Sequence, residues 1–319
     1  MTKKLRVYFM GSGAIAVPIL QILARPHEHL ELVGVGTQPD RPAGRHKHLV
    51  TTPLGGAALQ LGLEVDRIKH ASSPEFEEYL RGLNIDFLVV VSFGQILKEN
   101  ILELPRIACI NVHASILPKY RGASPIVAAI ANRDSYTGIT FMRMVRRLDA
   151  GGIYSILKLP LTYYERCTEL ENTLGLLAAT GIGEVLQGIA CGRLEPAPQD
   201  ESRVTMTHKI KKEDGRIDWR LSAESIEAQI RAYYPWPGAQ MTLAVNDREE
   251  HITIHSARII SDICASPGEI VRADKNGFII ACGAGALELL ELVPAGRKEM
   301  SAAAYLNGLR GAVATVKVN

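Results

Sequence analysis

The chain carries almost no net charge. Lys and Arg number 36 against 34 Asp and Glu, a formal +2, which excludes a histone-like or polyanion-coating protein and confines any nucleic-acid contact to a local patch. Cysteine is sparse: Cys109, Cys167, Cys191, Cys264 and Cys282 are odd in number and never closer than 18 positions apart. That spacing excludes a disulfide framework and a CxxC metal knuckle, and it fits a reducing compartment. No uninterrupted apolar run approaches the roughly 18 residues of a membrane-spanning helix. The first residues, Met1 to Arg6, lead only into a short apolar stretch, Val7 to Met10, without the long core or small-residue cleavage site of a secretory signal. A cytoplasmic protein without membrane contact is the expectation. Internal repeats and low-complexity segments are missing too, which excludes a fibrous array. Aromatic residues are few, at 6%, but 47% hydrophobic and 22% charged residues are the balance of a folded globular protein. At roughly 150 residues per domain, the length suggests two domains.

What is present reads first as α/β. Leu5 to Met10 is a β-rich run closed by Gly11-Ser12-Gly13, and Ala14 to Ala24 has helical apolar spacing. Leu30 to Thr37 reads as a second strand and Pro53 to Leu61 as a helix. Asp86 to Ser92 and Ile107 to Val112 are short continuous apolar runs, the pattern of parallel strands buried on both faces. Thr137 to Met144 and Gly152 to Leu159 read as further strands, and Glu169 to Gly188 as a long helix. The expected fold is a Rossmann-like, doubly wound, mostly parallel sheet over residues 1–190. Cys191 to Met206, with two prolines, several charges and no apolar period, reads as a linker at 191–206. Beyond it, a helix at Ala223 to Ala232 and short strand-like runs at Ile252 to Ile254, Gly268 to Val271, Gly277 to Cys282 and Ala286 to Leu292 suggest a small β-barrel over 207–319.

Four stretches carry chemistry. Gly11-Ser12-Gly13-Ala14-Ile15-Ala16 fits the dinucleotide fingerprint in a strand-turn-helix context. The acid downstream, Asp40, lies in a proline-broken loop rather than at a strand tip, so the alternative is a turn built for tight packing; no nicotinamide cofactor is expected. Arg41 to His48 gathers three fixed cations and two imidazoles. It is either a solvated surface loop or a contact for phosphates. His46 and His48 have no third ligand in view, and no metal is expected. Asn111 and His113, two apart at a strand's carboxyl end, point the same way into the crevice where α/β folds bind ligands. An amide donor beside an imidazole suits attack by an amine on a carbonyl, the amide steadying the oxyanion and the imidazole taking the proton. A His at a strand end also serves as an ordinary structural residue. Ser or Cys in a nucleophile-elbow context is missing, which favours direct transfer over an acyl-enzyme. Asp149, in a Gly-rich loop between two strands, either orients His113 or is a turn residue.

Taken together, YFMGSGAIAVPIL, TQPDRPAGRHKHL, NVHASILPKYRGASPI, TGITFM and LDAGG, followed by KIKKEDGRIDW, IRAYYPWPGA and PAGRKEMSAAAYLNG, resemble the methionyl-tRNA formyltransferases, a family of folate-dependent formyltransferases. The likeness covers nearly the whole chain. It implies that Asn111, His113 and Asp149 are catalytic, that Ser115, Ile116, Leu117 and Pro118 line the site of the co-substrate 10-formyltetrahydrofolate, and that Phe93, Gly94 and Leu97 flank the pterin pocket. It implies further that Arg41, Arg45 and Lys47 reach the acceptor arm of initiator methionyl-tRNA. The barrel of residues 207–319, with 14 Lys and Arg against 14 Asp and Glu over 206–319, becomes an oligonucleotide-binding (OB)-like tRNA-binding domain beside a formyltransferase catalytic domain at 1–190. The resemblance implies a monomer that supports translation initiation. The sequence departs from the family pattern at Gly13, Ile116 and Gly152. The Asn, His and Asp trio is shared with glycinamide ribonucleotide and amino-sugar formyltransferases, so it points to formyl transfer, while the basic loop and second-domain motifs point to tRNA. An amino-sugar nucleotide enzyme and a tRNA- or folate-binding protein without catalysis are the two rivals.

Overall fold

Leu5–Gly11 forms a strand, β1, whose last five residues are buried, and the chain turns through Ser12 and Gly13 into the helix Ala16–Leu23, α1. The structure, a computed structural model, describes residues 3–43, 48–245, 248–309 and 314–316. The first turn is tight because two side chains are missing. A Cβ on Gly11 would lie 2.8 Å from the Val91 carbonyl oxygen, and one on Gly13 would lie 2.7 Å from the Ser92 hydroxyl, so close packing accounts for both glycines. The α1 N-terminus, where a dinucleotide phosphate would sit, meets a carboxylate instead: Ile15 N–H donates to Glu171 Oε1 at 3.3 Å.

The chain continues through β2 (Leu30–Thr37), a short ribbon of β3 (Arg41–Ala43) and β4 (His48–Val50), α2 (Pro53–Gln60), β5 (Asp66–Arg67), α3 (Pro74–Gly82) and β6 (Phe87–Val91). Then come α4 (Glu99–Leu102), β7 (Ala108–His113), β8 (Arg121–Gly122), α5 (Pro125–Ala131), β9 (Tyr136–Arg143), β10 (Ile153–Pro160), α6 (Cys167–Ala190) and β11 (Met206–Thr207). Seven strands form one sheet in the order β10-β9-β7-β6-β1-β2-β5. β5, β2, β1, β6 and β7 run parallel, while β9 is antiparallel to β7 and to β10. All five residues of β6 are buried, as expected of a continuous apolar run at the centre of a parallel sheet. The chain moves outward from β1 to β2 and β5, then returns to lay β6 on the other side of β1. That reversal opens a crevice beyond the carboxyl ends of the strands.

By length and composition α6 would also suit a membrane span. In the structure Leu170, Leu174, Ala178, Ile182 and Leu186 form a buried stripe at four-residue intervals, the signature of a core-facing helix. Gly181, whose absent Cβ would lie 2.8 Å from Leu157 and 3.4 Å from Phe141, marks where α6 meets the sheet.

Two compact units divide the chain: Met1–Pro125, Tyr136–Pro160 and Glu171–Thr207 in the first, and Ile126–Ser135, Leu161–Leu170 and His208–Asn319 in the second. Part of the 191–206 stretch is tied to the first unit. Ile153 and Ala197 exchange backbone hydrogen bonds of 2.8 and 2.9 Å, and β11 pairs in parallel with β8.

The second unit contains α7 (Ala223–Ala232), β12 (Ala239–Val245), β13 (Arg248–Ile260), β14 (Ile270–Asp274), β15 (Gly277–Ala281), β16 (Ala286–Pro294), β17 (Met300–Ser301), α8 (Ala302–Leu309) and β18 (Ala314–Val316). Its antiparallel sheet has the order β14-β15-β16-β13-β12-β18, with β17 on β16. β12 alternates buried and half-buried residues along its length, so one face is core and the other is not. Register shifts where β13 passes Ile254 to Ala257 bend that long strand, and the sheet curls into a half-barrel. Ser222 caps α7, its hydroxyl accepting from Ser225 N–H at 3.2 Å. The helix then buries Ile226 and Ile230 with Trp219, Phe278, Leu287 and Tyr305.

Candidate active site

Asn111 and His113 lie on one face of β7, as the period of two requires. β6 holds that strand on one side, with Val90 opposite Asn111, and β9 on the other, with Thr140 opposite His113. Asp149 comes from the loop between β9 and β10. Asn111 Nδ2 donates to Asp149 Oδ1 at 3.3 Å, and His113 Nδ1 stands 3.8 Å from Asp149 Oδ2. The three residues singled out in the sequence therefore meet, with the side chains of His113 and Asp149 only 6% and 11% exposed. Water is largely kept out, which strengthens electrostatic interactions among them.

The hydrogen bond that orients His113 comes from a group the sequence did not reveal. Nε2 lies 2.9 Å from the Tyr120 carbonyl oxygen. A carbonyl can only accept, so Nε2 carries the hydrogen and Nδ1 is the nitrogen left to take a proton. Asp149 stands at ion-pair distance from Nδ1, while its own hydrogen bonds come from Asn111 and from Gly122 N–H, at 2.8 Å on Oδ2. Asn111 spends one amide N–H on Asp149 and keeps the other for a ligand. Asp149, Tyr120 and Ser92 all have left-handed backbone, with φ of 48°, 63° and 46°. Such conformations in residues other than glycine concentrate at functional sites.

The loop after β7 is braced from within. Ser115, 1% exposed, donates its hydroxyl to the Lys119 carbonyl at 2.6 Å. Thr140, fully buried, donates to the Ser115 carbonyl at 2.6 Å and accepts from Leu117 N–H at 3.1 Å. Leu117 is buried, and Ile116 and Pro118 are half-buried. Thr140→Val keeps the shape and removes both bonds, leaving a buried carbonyl and a buried N–H unpaired. The expected cost is ~1–3 kcal/mol for each group, measured by urea denaturation; unchanged stability would show that the loop does not depend on Thr140.

Phe93 and Leu97 sit in a core cluster with Met10, Val90 and Cys109, and Met144 packs against it. This contact brings the loop after β6 beside the loop that leads to Asp149. On these loops Gly94 is exposed, as are Ile96, Val145 and Leu148.

A second feature lies at the strand-order reversal, where a cleft of about 330 Å³ is lined by Ser12, Gly13, Gln38, Arg41, Thr52 and Gly94 among others. Arg41 donates to the side-chain oxygen of Gln38, and Gln38 Nε2 donates to the Phe93 carbonyl at 2.5 Å. Arg41 is thereby held over the cleft. Arg45 and Lys47, also expected to meet tRNA, lie outside the described residues. Among the described residues no three His, Cys, Asp or Glu side chains come together as a metal site.

Sequence models of known families match both parts of the chain: formyl transferase over residues 3–186 and formyl transferase, C-terminal domain, over residues 209–310. The methionyl-tRNA formyltransferase of Solibacter usitatus is 40% identical over 307 residues, covering 96% of this chain and 96% of the relative. Among solved structures, the N-formyltransferase from Helicobacter canadensis in complex with folinic acid and dTDP-3-aminofucose superposes with a TM-score of 0.64 at 17% identity, covering 89% of this chain and 98% of that one. HypX from Aquifex aeolicus, solved with tetrahydrofolic acid, gives a TM-score of 0.63 at 16% identity over 97% of this chain, which spans 48% of HypX. At these identities the solved structures speak for the fold. The two family matches and the near full-length likeness at 40% identity decide the family, and the chain belongs to the methionyl-tRNA formyltransferases.

Proposed function

We propose that the protein transfers the formyl group of 10-formyltetrahydrofolate to the amino group of methionine on initiator methionyl-tRNA, and so supports translation initiation. The observation that carries this reading is the meeting of the Asn111 amide, the His113 imidazole and the Asp149 carboxylate beyond the carboxyl end of β7. In the transfer the amine nitrogen bonds to the formyl carbon, the bond from that carbon to folate N10 breaks, the amine loses a proton and N10 gains one. The free N–H of Asn111 donates to the formyl oxygen as negative charge builds there. His113 Nδ1 takes the proton of the attacking amine and returns it to the departing nitrogen. The Asp149 carboxylate, 3.8 Å away, stabilises the imidazolium in between, while the Tyr120 carbonyl holds the ring.

Phe93, Gly94, Leu97 and the loop Ser115 to Pro118 hold the folate in this reading. Arg41, Arg45 and Lys47 pair with acceptor-arm phosphates. Residues 1–190 act as the catalytic domain and 207–319 as the tRNA-binding domain, joined by 191–206. One chain supplies every group the reaction uses, in keeping with a monomer, and the five free cysteines suit the reducing cytoplasm.

The test is formyl transfer to methionyl initiator tRNA by the parent and by a variant with Arg41, Arg45 and Lys47 changed to Gln. The parent formylates the tRNA. The variant retains kcat, has a raised KM for tRNA, and shows a slope of log affinity against log salt shallower by about 2 to 3. An unchanged KM and slope would remove the loop from the interface, and a parent that ignores the tRNA would overturn the reading.

A further inference from the structure

We infer that Gln199 is a positioning residue for the transfer proposed above, holding the Asp149 backbone where Asn111 and His113 need it; the inference rests on that reading of the site. The chain from Met144 to Gly152 has no regular secondary structure, and Asp149 within it has a left-handed φ of 48°. A carboxylate on such a segment keeps its aim only if neighbouring peptides are held. Gln199 Nε2 donates to the Asp149 carbonyl and to the Gly151 carbonyl, both at 2.8 Å.

The direction of that amide is itself fixed. Gln199 Oε1 accepts from Arg121 Nε at 3.0 Å and Nη2 at 2.8 Å. Turned over, it would set its oxygen against two carbonyls and its NH2 against a guanidinium, four contacts of like kind. Arg121 is 1% exposed and its charge is met by Glu201 Oε1 at 2.8 Å from Nη2. Glu201 also reaches Arg147, on the Asp149 loop, at 2.8 Å.

Arg121 stands between the two residues that hold the other groups. The Tyr120 carbonyl accepts from His113, and Gly122 N–H donates to Asp149. Three consecutive residues thus fix the imidazole, the Gln199 amide and the carboxylate. Thr205, just before β11, holds the first two, Arg121 N–H donating to its carbonyl at 2.9 Å and Tyr120 N–H to its hydroxyl at 2.8 Å, and β11 itself pairs with Arg121 and Gly122. Both N–H groups and the oxygen of Gln199 are engaged inside the protein, so it acts through Asp149 rather than on a substrate.

Two variants separate this role from that of a partner for Arg121. Gln199→Glu keeps the size and the acceptor toward Arg121 but cannot donate to the two carbonyls, and Gln199→Met fills the space with neither donor nor charge. For both, kcat for formylation of methionyl-tRNA falls about 10- to 100-fold. The KM values for tRNA and for 10-formyltetrahydrofolate stay within about threefold of the parent, as expected when an interaction is made only in the transition state. Parent-like kcat in Gln199→Glu would overturn the inference by showing that the acceptor toward Arg121 is all that matters, and a loss confined to KM would overturn it equally. Should Gln199→Met fail to fold, Gln199→Glu decides alone. A parent that transfers no formyl group overturns the proposed function and this inference together, whereas an active parent with unaffected variants overturns the inference only.

Discussion

Asn111→Ala lowers kcat for formyl transfer by about 10² to 10³, the loss that follows removal of one preorganised oxyanion donor. His113→Ala lowers it by about 10² to 10⁴, the range for a general base. Both groups act as charge develops, so the loss appears in kcat and kcat/KM alike, with little change in KM for either substrate. Their effects are not independent. Asn111 hydrogen-bonds Asp149 and His113 faces the same carboxylate, so the double variant loses less than the product of the two single losses. Steady-state kinetics on the purified variants provides the check. Turnover within about tenfold of the parent in both would contradict the mechanism, being short of the loss expected for either group.

Gly122→Ala strikes the same site through the backbone. Gly122 has φ of 109°, and a Cβ there would stand 2.3 Å from the Thr207 carbonyl oxygen. No side-chain rotation relieves that contact, because the neighbour is main chain. Strained backbone costs ~1–3 kcal/mol and overpacking ~1–3 kcal/mol more. Relief requires β8 and β11 to part, which draws Gly122 N–H off Asp149 Oδ2. The expected outcome is a loss of about 2–6 kcal/mol of stability together with a fall in kcat of about 10². Gly183→Ala is the matched control. It lies inside α6 with nothing within 4 Å of the added Cβ, and there alanine is favoured by roughly 0.5–1 kcal/mol. Thermal unfolding with a kinetic assay reads both variants. Parent-like behaviour of Gly122→Ala would show that the β8 and β11 pairing does not set the carboxylate.

The sequence made β6 and β7 readable because each is a continuous apolar run buried on both faces, a pattern that few other elements produce. Asn111 and His113 stood out for the same reason, as polar residues at the end of such a run. The strand pair Arg121–Gly122 and Met206–Thr207 has only two residues on each side, too few for any period to register. Gln199 lies in a stretch whose prolines and charges describe a linker, and its partners stand 48 to 78 residues away. Arg121 reads as a surface cation from its type, and only the fold shows it buried against Gln199 and Glu201. The Tyr120 carbonyl is main chain, silent in any side-chain pattern. α3 and its C-cap set Phe76, Leu80 and Leu83 against the core at helical spacing, but the helix has only nine residues, a stripe too short to stand out among its charges. The short ribbon of β3 and β4 replaces the wholly irregular loop that its prolines and glycine suggest.

The most direct test of the account is acceptor choice. The fold is shared with the N-formyltransferase solved with dTDP-3-aminofucose, so the fold alone does not name the amine. With 10-formyltetrahydrofolate as donor, the purified chain is offered methionyl initiator tRNA and amino-sugar nucleotides in parallel, and the formylated product of each is measured. The account predicts formylmethionyl-tRNA and no formylated sugar nucleotide. Formylation of the sugar nucleotide with the tRNA left unmodified, or tight binding of tRNA and folate with no transfer at all, would contradict it.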